Sequence, residues 1–344
     1  MSTKKNINQK SQESKIPPIN LKGSSFLDCI ERFAPSKIQK PIYETGFSVL
    51  DDALGGGFTP GLICLGAVSS LGKSTFALQL AHSIALHKNP VLFFSLEMRR
   101  DDVIAKAIIR EWHKIHPDSK ITVQDLLMNY KDIDSSEQDE LDQMIEDLKK
   151  KKDFKFSVVE PDIEYRTAEI ITNTIDKFRN EENNSNLEPF VVIDYLQIVA
   201  PPVNMRGCSD KQIVDYNLSV FKSYVDKTNL PILIISSFNR TAYEQKASFQ
   251  AFKESGNIEY TSDIVMALQY SGVSQEGFDS EVEKQKSPRD VDLVILKQRY
   301  GASGQTITMP FYPEYNWFDL EDDSRMLNHP KLINGRLPSA QRHF

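Results

Sequence analysis

The sequence predicts an α/β fold, with a twisted, mostly parallel sheet flanked by helices and a C-terminal antiparallel hairpin. Three observations support this prediction. Short apolar segments rich in β-formers alternate with segments of helical periodicity from about residue 41 to residue 320. One strand–turn–helix unit, LICLGAVSSLGKSTFALQL at 62–80, has the layout of a phosphate-binding loop. The last two strand segments have no helix between them, which favours an antiparallel hairpin.

The predicted elements alternate regularly through the first five strands. Strands are predicted at 62–65, 91–95, 155–159, 190–193, 231–236, 264–269, 291–297 and 305–311. Helices are predicted at 74–87, 100–116, 167–182, 210–228 and near Thr241. Because parallel neighbours in a sheet need crossover connections, this order predicts a doubly wound sheet.

The two ends of the chain depart from this pattern. Residues 1–40 are polar and are predicted to be disordered or to form a docking arm, with a short helix near 24–34 where apolar residues have helical spacing. A helix folded back on its own chain is an equal alternative for that segment. The tail at 321–344 is polar, which leaves 41–320 as the predicted globular domain.

The composition indicates a globular protein with a sizeable core, since 40% of its 344 residues are hydrophobic. No apolar segment approaches the ~18–20 residues of a membrane helix, and the N-terminus lacks the apolar core of a signal peptide. We therefore expect a cytoplasmic protein with no membrane partner. The net charge of −7 argues against a broadly basic nucleic-acid-binding surface, but it allows a local channel lined with Lys or Arg.

The candidate phosphate loop comprises Ser69, Ser70, Leu71, Gly72, Lys73, Ser74 and Thr75. In such loops backbone N–H groups and a helix N-terminus surround the phosphates, a lysine reaches the terminal phosphates, and a hydroxyl binds Mg²⁺. Lys73 and Ser74 suit the last two roles. The first glycine of GxxxxGK[ST] would fall on Ala67, with Gly66 one residue earlier. The alternative is a chance Gly/Ser-rich turn between a strand and a helix.

Hydrolysis also needs an acidic residue near Mg²⁺ and a base near the attacking water. Asp194 ends the buried strand of PFVVIDYLQIV, and Glu97 lies just beyond the strand in VLFFSLEM. The carboxyl ends of strands face the ligand in open α/β sheets, so both carboxylates are predicted beside the loop. The alternative for Asp194 is a strand-terminal residue that caps the next turn.

Polar residues at the end of the strand in LPILIISSFNR could report the state of the γ-phosphate to the rest of the domain. These candidate coupling residues are Ser236, Ser237, Asn239 and Arg240. A later loop contains Lys253 beside Gly256, a plausible contact to a nucleic-acid backbone. An ordinary surface turn remains the alternative for that loop.

Lys297 and Arg299 lie at the end of a predicted strand, two residues apart and so on one face. Two cations held together near a hairpin suit an arginine finger that reaches the nucleotide of a neighbouring subunit. Salt bridges to nearby acids are an equal alternative.

Six segments in this order resemble the C-terminal ATPase domain of DnaB-type replicative helicases, which has a RecA-like fold. They are TGFSVLDDALGGGFTPGLICLGAVSSLGKST, FFSLEM, VVIDYLQIV, SSFNR, KESGNIE and LKQRYGASGQ. The resemblance extends from about Tyr43 to Asp319. It implies an ATP- and Mg²⁺-dependent hydrolase, a DNA helicase, that forms a homo-oligomeric, hexameric ring and translocates on single-stranded DNA in replication. A loader or primase-like partner is also implied.

For the nucleotide site, the resemblance implies that Lys73 and Ser74 bind phosphates and Mg²⁺. It implies Glu97 as the catalytic base and Asp194 as a residue that holds Mg²⁺.

For the other sites, the resemblance places Lys253, Glu254 and Gly256 in the loop that follows the DNA backbone. It implies that Lys297 and Arg299 are contributed to the next subunit's site. A ring of this kind explains the negative net charge, because only the pore loops need be basic.

Departures from the family pattern are informative. Only some forty residues precede the motor, where the family has a helical N-terminal domain, and Val68-Ser69 stand in place of an Arg-Pro pair. Ser237 replaces a glutamine that is thought to couple the γ-phosphate to DNA binding in the family. Because serine is too short to span the same gap without a water, we expect weaker coupling between the nucleotide and DNA. Lys253 replaces an arginine, which keeps the charge and loses bidentate geometry.

Two functions follow as hypotheses. The first is a DnaB-like motor in which ATP hydrolysis powers movement on single-stranded DNA, favoured by Glu97, Asp194 and Arg299. The second is a RecA-fold ATPase that acts as a regulator or scaffold without unwinding, favoured by Ser237 and the short N-terminal region.

Overall fold

The computed structural model describes residues 40–181, 188–253 and 257–320, together with Phe26, Leu27 and Ile30. Within these residues, nine strands form one sheet: Gly61–Ala67 (β1), Val91–Ser95 (β2), Phe156–Val159 (β3), Phe190–Asp194 (β4), Pro231–Ser237 (β5), Ile264–Tyr270 (β6), Arg289–Gln298 (β7), Thr306–Tyr312 (β8) and Trp317–Phe318 (β9). The α-helices in the described chain are Ser48–Leu54 (α1), Lys73–Leu86 (α2), Arg100–Ile115 (α3), Val123–Met128 (α4), Ser135–Lys149 (α5), Ala168–Glu181 (α6), Asp210–Thr228 (α7), Ile258–Thr261 (α8) and Ser280–Lys284 (α9).

The strand order in the sheet is β3-β2-β4-β5-β1-β6-β7-β8-β9. Neighbours from β3 to β6 in this order pair in parallel, and those from β6 to β9 pair in antiparallel. β1 therefore lies inside the sheet, between β5 and β6. The predicted α/β fold class is confirmed, including the antiparallel C-terminal hairpin.

The core lies along the parallel strands. Every residue of β1, β2 and β4 is buried, the pattern expected of parallel strands covered on both faces. A smaller apolar cluster of Ile109, Trp112, Ile121 and Leu141 joins α3 to α4 and α5.

The sequence explains where α7 begins and ends. Ser209 accepts a hydrogen bond from the Gln212 N–H, and the Gln212 side chain accepts one from the Ser209 N–H, which is a capping box. At the other end, Asn229 adopts a left-handed conformation with φ 57°, which ends the helix before β5.

Several elements differ from those predicted, and the short helices α1, α8 and α9 were not predicted. The helix predicted near Thr241 is a 3-10 turn, Arg240–Glu244. β9 was not predicted, because two residues carry no periodic pattern. It is held by α2: the Gln79 side chain donates to the Phe318 carbonyl at 2.8 Å and accepts from the Phe318 N–H at 3.0 Å.

Of the helix predicted near 24–34, the structure describes only Phe26, Leu27 and Ile30, which are helical and exposed. The other residues of that segment, and 321–344, lie outside the described residues. In the part of the chain that the structure describes, the helices are too short or too polar to cross a membrane.

Candidate functional site

The phosphate loop connects the end of β1 at Ala67 to the start of α2 at Lys73. Ser70 and Gly72 adopt left-handed conformations, with φ of 64° and 90°. A Cβ on Gly72 would also lie 2.8 Å from ring carbons of Phe311 and Phe318. The loop therefore needs glycine at this position, both for its backbone and for its packing on the C-terminal hairpin.

The displaced first glycine of the motif has a packing reason. A Cβ on Gly66 would lie 2.3 Å from a ring carbon of Phe238 and 2.4 Å from one of Phe252. These rings form an edge-to-face pair with centroids 4.8 Å apart. Ala67 is the last residue of β1, where extended backbone accepts any side chain. The glycine thus admits two aromatic rings that fix the segment after β5.

Arg289, the first residue of β7, donates a hydrogen bond to the backbone of the phosphate loop. Its Nη2 donates to the Ser70 carbonyl at 2.7 Å, and its Nη1 donates to the Lys284 carbonyl at 2.9 Å. Its guanidinium lies 4.9 Å from the Phe311 ring centroid, and burial lowers the pKa of Arg289. No pattern in the sequence indicates this contact, because Arg289 and Ser70 are 219 residues apart.

Asp194 lies beside the phosphate loop, as its place at a strand end predicted. The residue is 1% exposed, and its Oδ1 accepts a hydrogen bond from Ser74 Oγ at 3.1 Å. Its Oδ2 has no hydrogen-bond partner among the described residues. Burial, together with the charge of Glu97, raises the pKa of Asp194 to about 6, against the opposing effects of Ser74 and Lys73.

Two lysines face the same carboxylates. Burial lowers the pKa of Lys73, and the charges of Asp194 and Glu97 oppose that shift. Lys106 on α3 behaves in the same way and interacts with both carboxylates. Glu97 itself is exposed just beyond β2. The structure therefore brings Lys73, Ser74, Glu97 and Asp194 together, and it adds Lys106, which the sequence analysis missed.

The end of β5 joins the phosphate loop to the Lys253 segment through the main chain. The Phe238 N–H donates to the Ala67 carbonyl at 2.9 Å, and the Lys253 N–H donates to the Ser237 carbonyl at 2.9 Å. Asn239 donates through its side chain to the Gln250 carbonyl at 3.1 Å.

Of three other predicted residues, only the backbone of Arg240 can be placed. Arg240 begins the 3-10 turn after β5, and its side chain is outside the description. Glu254 and Gly256 lie outside the described residues, so their predicted place in a DNA loop stays a prediction.

Lys297 and Arg299 lie where the parallel strands begin, and we call that end of the sheet the edge opposite the phosphate loop. β7 runs antiparallel to β6, so its end at Gln298 pairs with Ile264 at the start of β6, which in turn pairs with Ile63 of β1. Ile63 is four residues from Ala67, where β1 ends and the phosphate loop begins, so the two levels are about 13 Å apart along the strand at 3.3 Å per residue. Arg299 is therefore far from the phosphate loop of its own chain.

A network around Asp263 holds this opposite edge. Arg299 Nη1 donates to Asp263 Oδ1 at 2.7 Å, while Lys222 Nζ and the Leu62 N–H donate to Oδ2, each at 2.9 Å. Burial alone would raise the pKa of Asp263, but these hydrogen bonds hold it below its ordinary value. Lys297 Nζ donates to the Glu259 and Ser262 carbonyls at 2.6 and 2.7 Å. The salt bridge offered as an alternative for Arg299 is present.

The sheet topology and the glycine-lysine-serine loop define a phosphate-loop α/β protein. The chain belongs to the family described as the DnaB-like helicase C terminal domain, whose model matches residues 43–320.

Curated relatives agree with this assignment. The chain is 25% identical over 285 residues to the replicative DNA helicase DnaB of Buchnera aphidicola subsp. Baizongia pistaciae, covering 82% of this chain and 56% of the relative. It is 25% identical over 278 residues to the replicative DNA helicase DnaC of Bacillus subtilis, covering 80% of this chain and 55% of the relative. The chain thus spans a little over half the length of these relatives.

Solved structures share the fold. One of them, described as an ATPase domain, superposes with a TM-score of 0.67 at 20% identity, covering 85% of this chain and 95% of that one. A DnaB-like replicative helicase, described with its interactions with primase, superposes with a TM-score of 0.68 at 20% identity, covering 86% of this chain and 66% of that one. At this level of identity the likeness supports the RecA-like fold alone.

Proposed function

We propose that this protein is an ATP-hydrolysing motor that acts on single-stranded DNA as a homo-oligomeric, hexameric ring. The observation that carries the proposal is the buried Asp194 carboxylate, which accepts a hydrogen bond from Ser74 at the start of α2 and interacts with Lys73. This combination of a hydroxyl, a carboxylate and an ammonium matches what a nucleotide with its magnesium ion requires.

The residues present fit Mg²⁺. Asp194 Oδ2 is buried without a hydrogen-bond partner in the described chain, and the Ser74 hydroxyl lies against the same carboxylate. Oxygen ligands of this kind are those that Mg²⁺ prefers, with waters and phosphates completing its shell. When bound, the ion would neutralise charge that develops on the phosphates. We assign Ser74 and Asp194 to this site.

The other residues of the site have the following proposed roles. Lys73 binds the β- and γ-phosphates together with the backbone N–H groups from Ser69 to Thr75. Glu97, which is exposed beside Asp194, polarises the attacking water. Lys297 and Arg299 complete the site of the next subunit, because they lie at the edge opposite their own phosphate loop.

DNA contact is proposed for the segment of Lys253, Glu254 and Gly256. Lys253 is exposed, and its backbone is joined to the end of β5, so a phosphate contact there could influence the nucleotide site. The coupling role proposed for Ser237, Asn239 and Arg240 rests on the same connection.

The wider organisation also stays a proposal. We propose an ATPase domain at 41–320 between an arm at 1–40 and a tail at 321–344. A primase-like partner is proposed because one solved relative is described with primase, and the loader stays a prediction from the family resemblance.

ATP hydrolysis measured with and without single-stranded DNA tests the proposed function. We expect DNA to stimulate hydrolysis, and we expect Glu97→Gln to abolish both rates while nucleotide binding is retained. Lack of DNA stimulation, together with no effect of Glu97→Gln, would contradict the motor and favour the regulator or scaffold hypothesis.

A further inference from the structure

Gln197 has a set of contacts that the sequence analysis did not anticipate. It lies in the 3-10 turn Leu196–Ile198, three residues after Asp194. Its side chain extends from this turn, which follows β4, to the end of β5. The Nε2 group donates to Ser236 Oγ at 2.9 Å, and Oε1 accepts from the Ser237 N–H at 3.3 Å. Gln197 therefore bridges the ends of β4 and β5.

The same amide also reaches the Lys253 segment. Its Nε2 lies 3.4 Å from the carbonyl oxygen of Lys253. The N–H of the same residue donates to the Ser237 carbonyl at 2.9 Å. The backbone of Lys253 is thus held on one side by β5 and on the other by Gln197. At 3.4 Å the contact to Gln197 is at the long end of hydrogen bonding, so a shift of a few tenths of an ångström would strengthen or break it.

The far side of β5 is fixed to the phosphate loop. Ser236 and Ser237 pair with Gly66 and Ala67, the last two residues of β1. Because β5 is paired to the strand that carries the phosphate loop, a shift of Asp194 relative to that loop would change the spacing between β4 and β5. Gln197 is the side chain that spans this gap to the Lys253 carbonyl.

We propose that Gln197 is a positioning residue that couples the Asp194 end of the nucleotide site to the Lys253 loop. The inference rests on the proposed function, and it names the contacts that would connect the nucleotide site to the DNA contact at Lys253. Ser237 meets Gln197 through its backbone N–H. The side-chain contact to the Lys253 carbonyl comes from Gln197, after β4. Coupling of this kind requires a contact that differs between two states, and the long contact between Gln197 and Lys253 is one that a small shift would make or break.

The test compares DNA stimulation of ATP hydrolysis in the full chain and in three variants. Gln197→Ala should lower the ratio of stimulated to basal rate by about five-fold, the factor that one net hydrogen bond is worth. The matched control is Gln138→Ala, since the Gln138 Nε2 also bridges two loop carbonyls, those of Tyr130 and Ile133, at 2.6 and 3.0 Å. It should retain the wild-type ratio. Gln197→Ala combined with Ser237→Gln should recover stimulation, because a glutamine at 237 could span the gap from β5.

The outcomes separate the inference from the function on which it rests. If the wild type is not stimulated by DNA, the proposed function fails and the inference fails with it. If the wild type is stimulated and Gln197→Ala is stimulated equally, the function stands and the inference is wrong. A loss of stimulation in Gln197→Ala that Ser237→Gln does not recover, with an equal loss in Gln138→Ala, would mean general destabilisation and would also overturn it.

Discussion

The two edges of the sheet each contain a buried carboxylate beside cationic side chains, and the two carboxylates differ in their hydrogen bonding. At the phosphate-loop edge, Asp194 accepts one hydrogen bond, from Ser74, and its pKa is raised to about 6 by burial. At the opposite edge, Asp263 accepts from Arg299, Lys222 and a backbone N–H, which hold its pKa below its ordinary value despite burial.

The difference shows which edge is complete by itself. The Asp263 carboxylate is paired with cations of its own chain, and it holds Arg299 with 58% of the arginine side chain exposed. Asp194 is buried with one oxygen unpaired in the described chain, a state that costs stability until a cation arrives. This contrast fits the proposal that the edge with Asp194 receives the nucleotide and its cation, while the edge with Asp263 presents Arg299 to a neighbouring subunit.

The largest expected effect comes from Asp194→Asn. Turnover should fall by at least about a hundred-fold, because the variant loses the charge proposed to hold the metal. Without Mg²⁺, its thermal stability should be equal to or higher than that of the wild type, since a poorly paired buried charge is gone. Hydrolysis rates and thermal unfolding in chelator measure both. A clear loss of stability would show that Asp194 is a structural carboxylate like Asp263.

The pH dependence of stability should separate the same two carboxylates. The pKa of Asp194 rises from 3.8 to about 6 on folding, so between these values the folded state binds more protons than the unfolded state. The contribution of Asp194 to metal-free stability should therefore fall as the pH rises from about 4 to about 6, by about 2–3 kcal/mol. Asp263, with a lowered pKa, contributes stability that is present above pH 3.8 and is lost as the pH falls through its folded-state pKa.

Urea unfolding of the wild type and Asp194→Asn in chelator, across this pH range, checks the prediction. The difference in unfolding free energy between the two proteins should grow in favour of the variant as the pH rises. A difference that does not change with pH would mean that Asp194 does not titrate as described.

A smaller effect is expected from Asp263→Ala. Removing this carboxylate leaves Lys222 without one of its acceptors, and it should lower the free energy of unfolding by about 1–2 kcal/mol because Arg299 is partly solvated. Urea unfolding measures the loss. Asp226→Ala is the matched control, since Asp226 pairs with the same lysine at 2.8 Å but is 61% exposed, and it should cost less than about 0.5 kcal/mol. Equal losses would contradict the ranking of the two acids.

The smallest effect concerns DNA binding. If Lys253 neutralises a phosphate, Lys253→Ala should lower the slope of log affinity against log salt by about one unit. Lys177→Ala, which removes an exposed lysine from α6, should leave the slope unchanged. Fluorescence titrations of single-stranded DNA at several salt concentrations would decide, and an unchanged slope in Lys253→Ala would remove this residue from the proposed DNA site.

Features that depend on local pattern or on strand direction were predictable from the sequence. The strand–helix alternation indicated the fold class, and Asp194 lies beside Ser74 because the carboxyl ends of parallel strands share one edge. Arg289 and Gln197 could not be predicted, because each acts through a side chain that crosses between elements distant in the sequence. Likewise, the position of Gly66 is explained only by the two aromatic rings that pack on it.

The most direct test of the account mixes two inactive variants, Lys73→Ala and Arg299→Ala. If Arg299 completes the site of a neighbouring subunit, a randomly mixed ring should contain intact sites at about a quarter of its interfaces, and hydrolysis should recover accordingly. No recovery in a mixture that is shown to assemble would contradict the account, and it would leave Arg299 as the structural partner of Asp263.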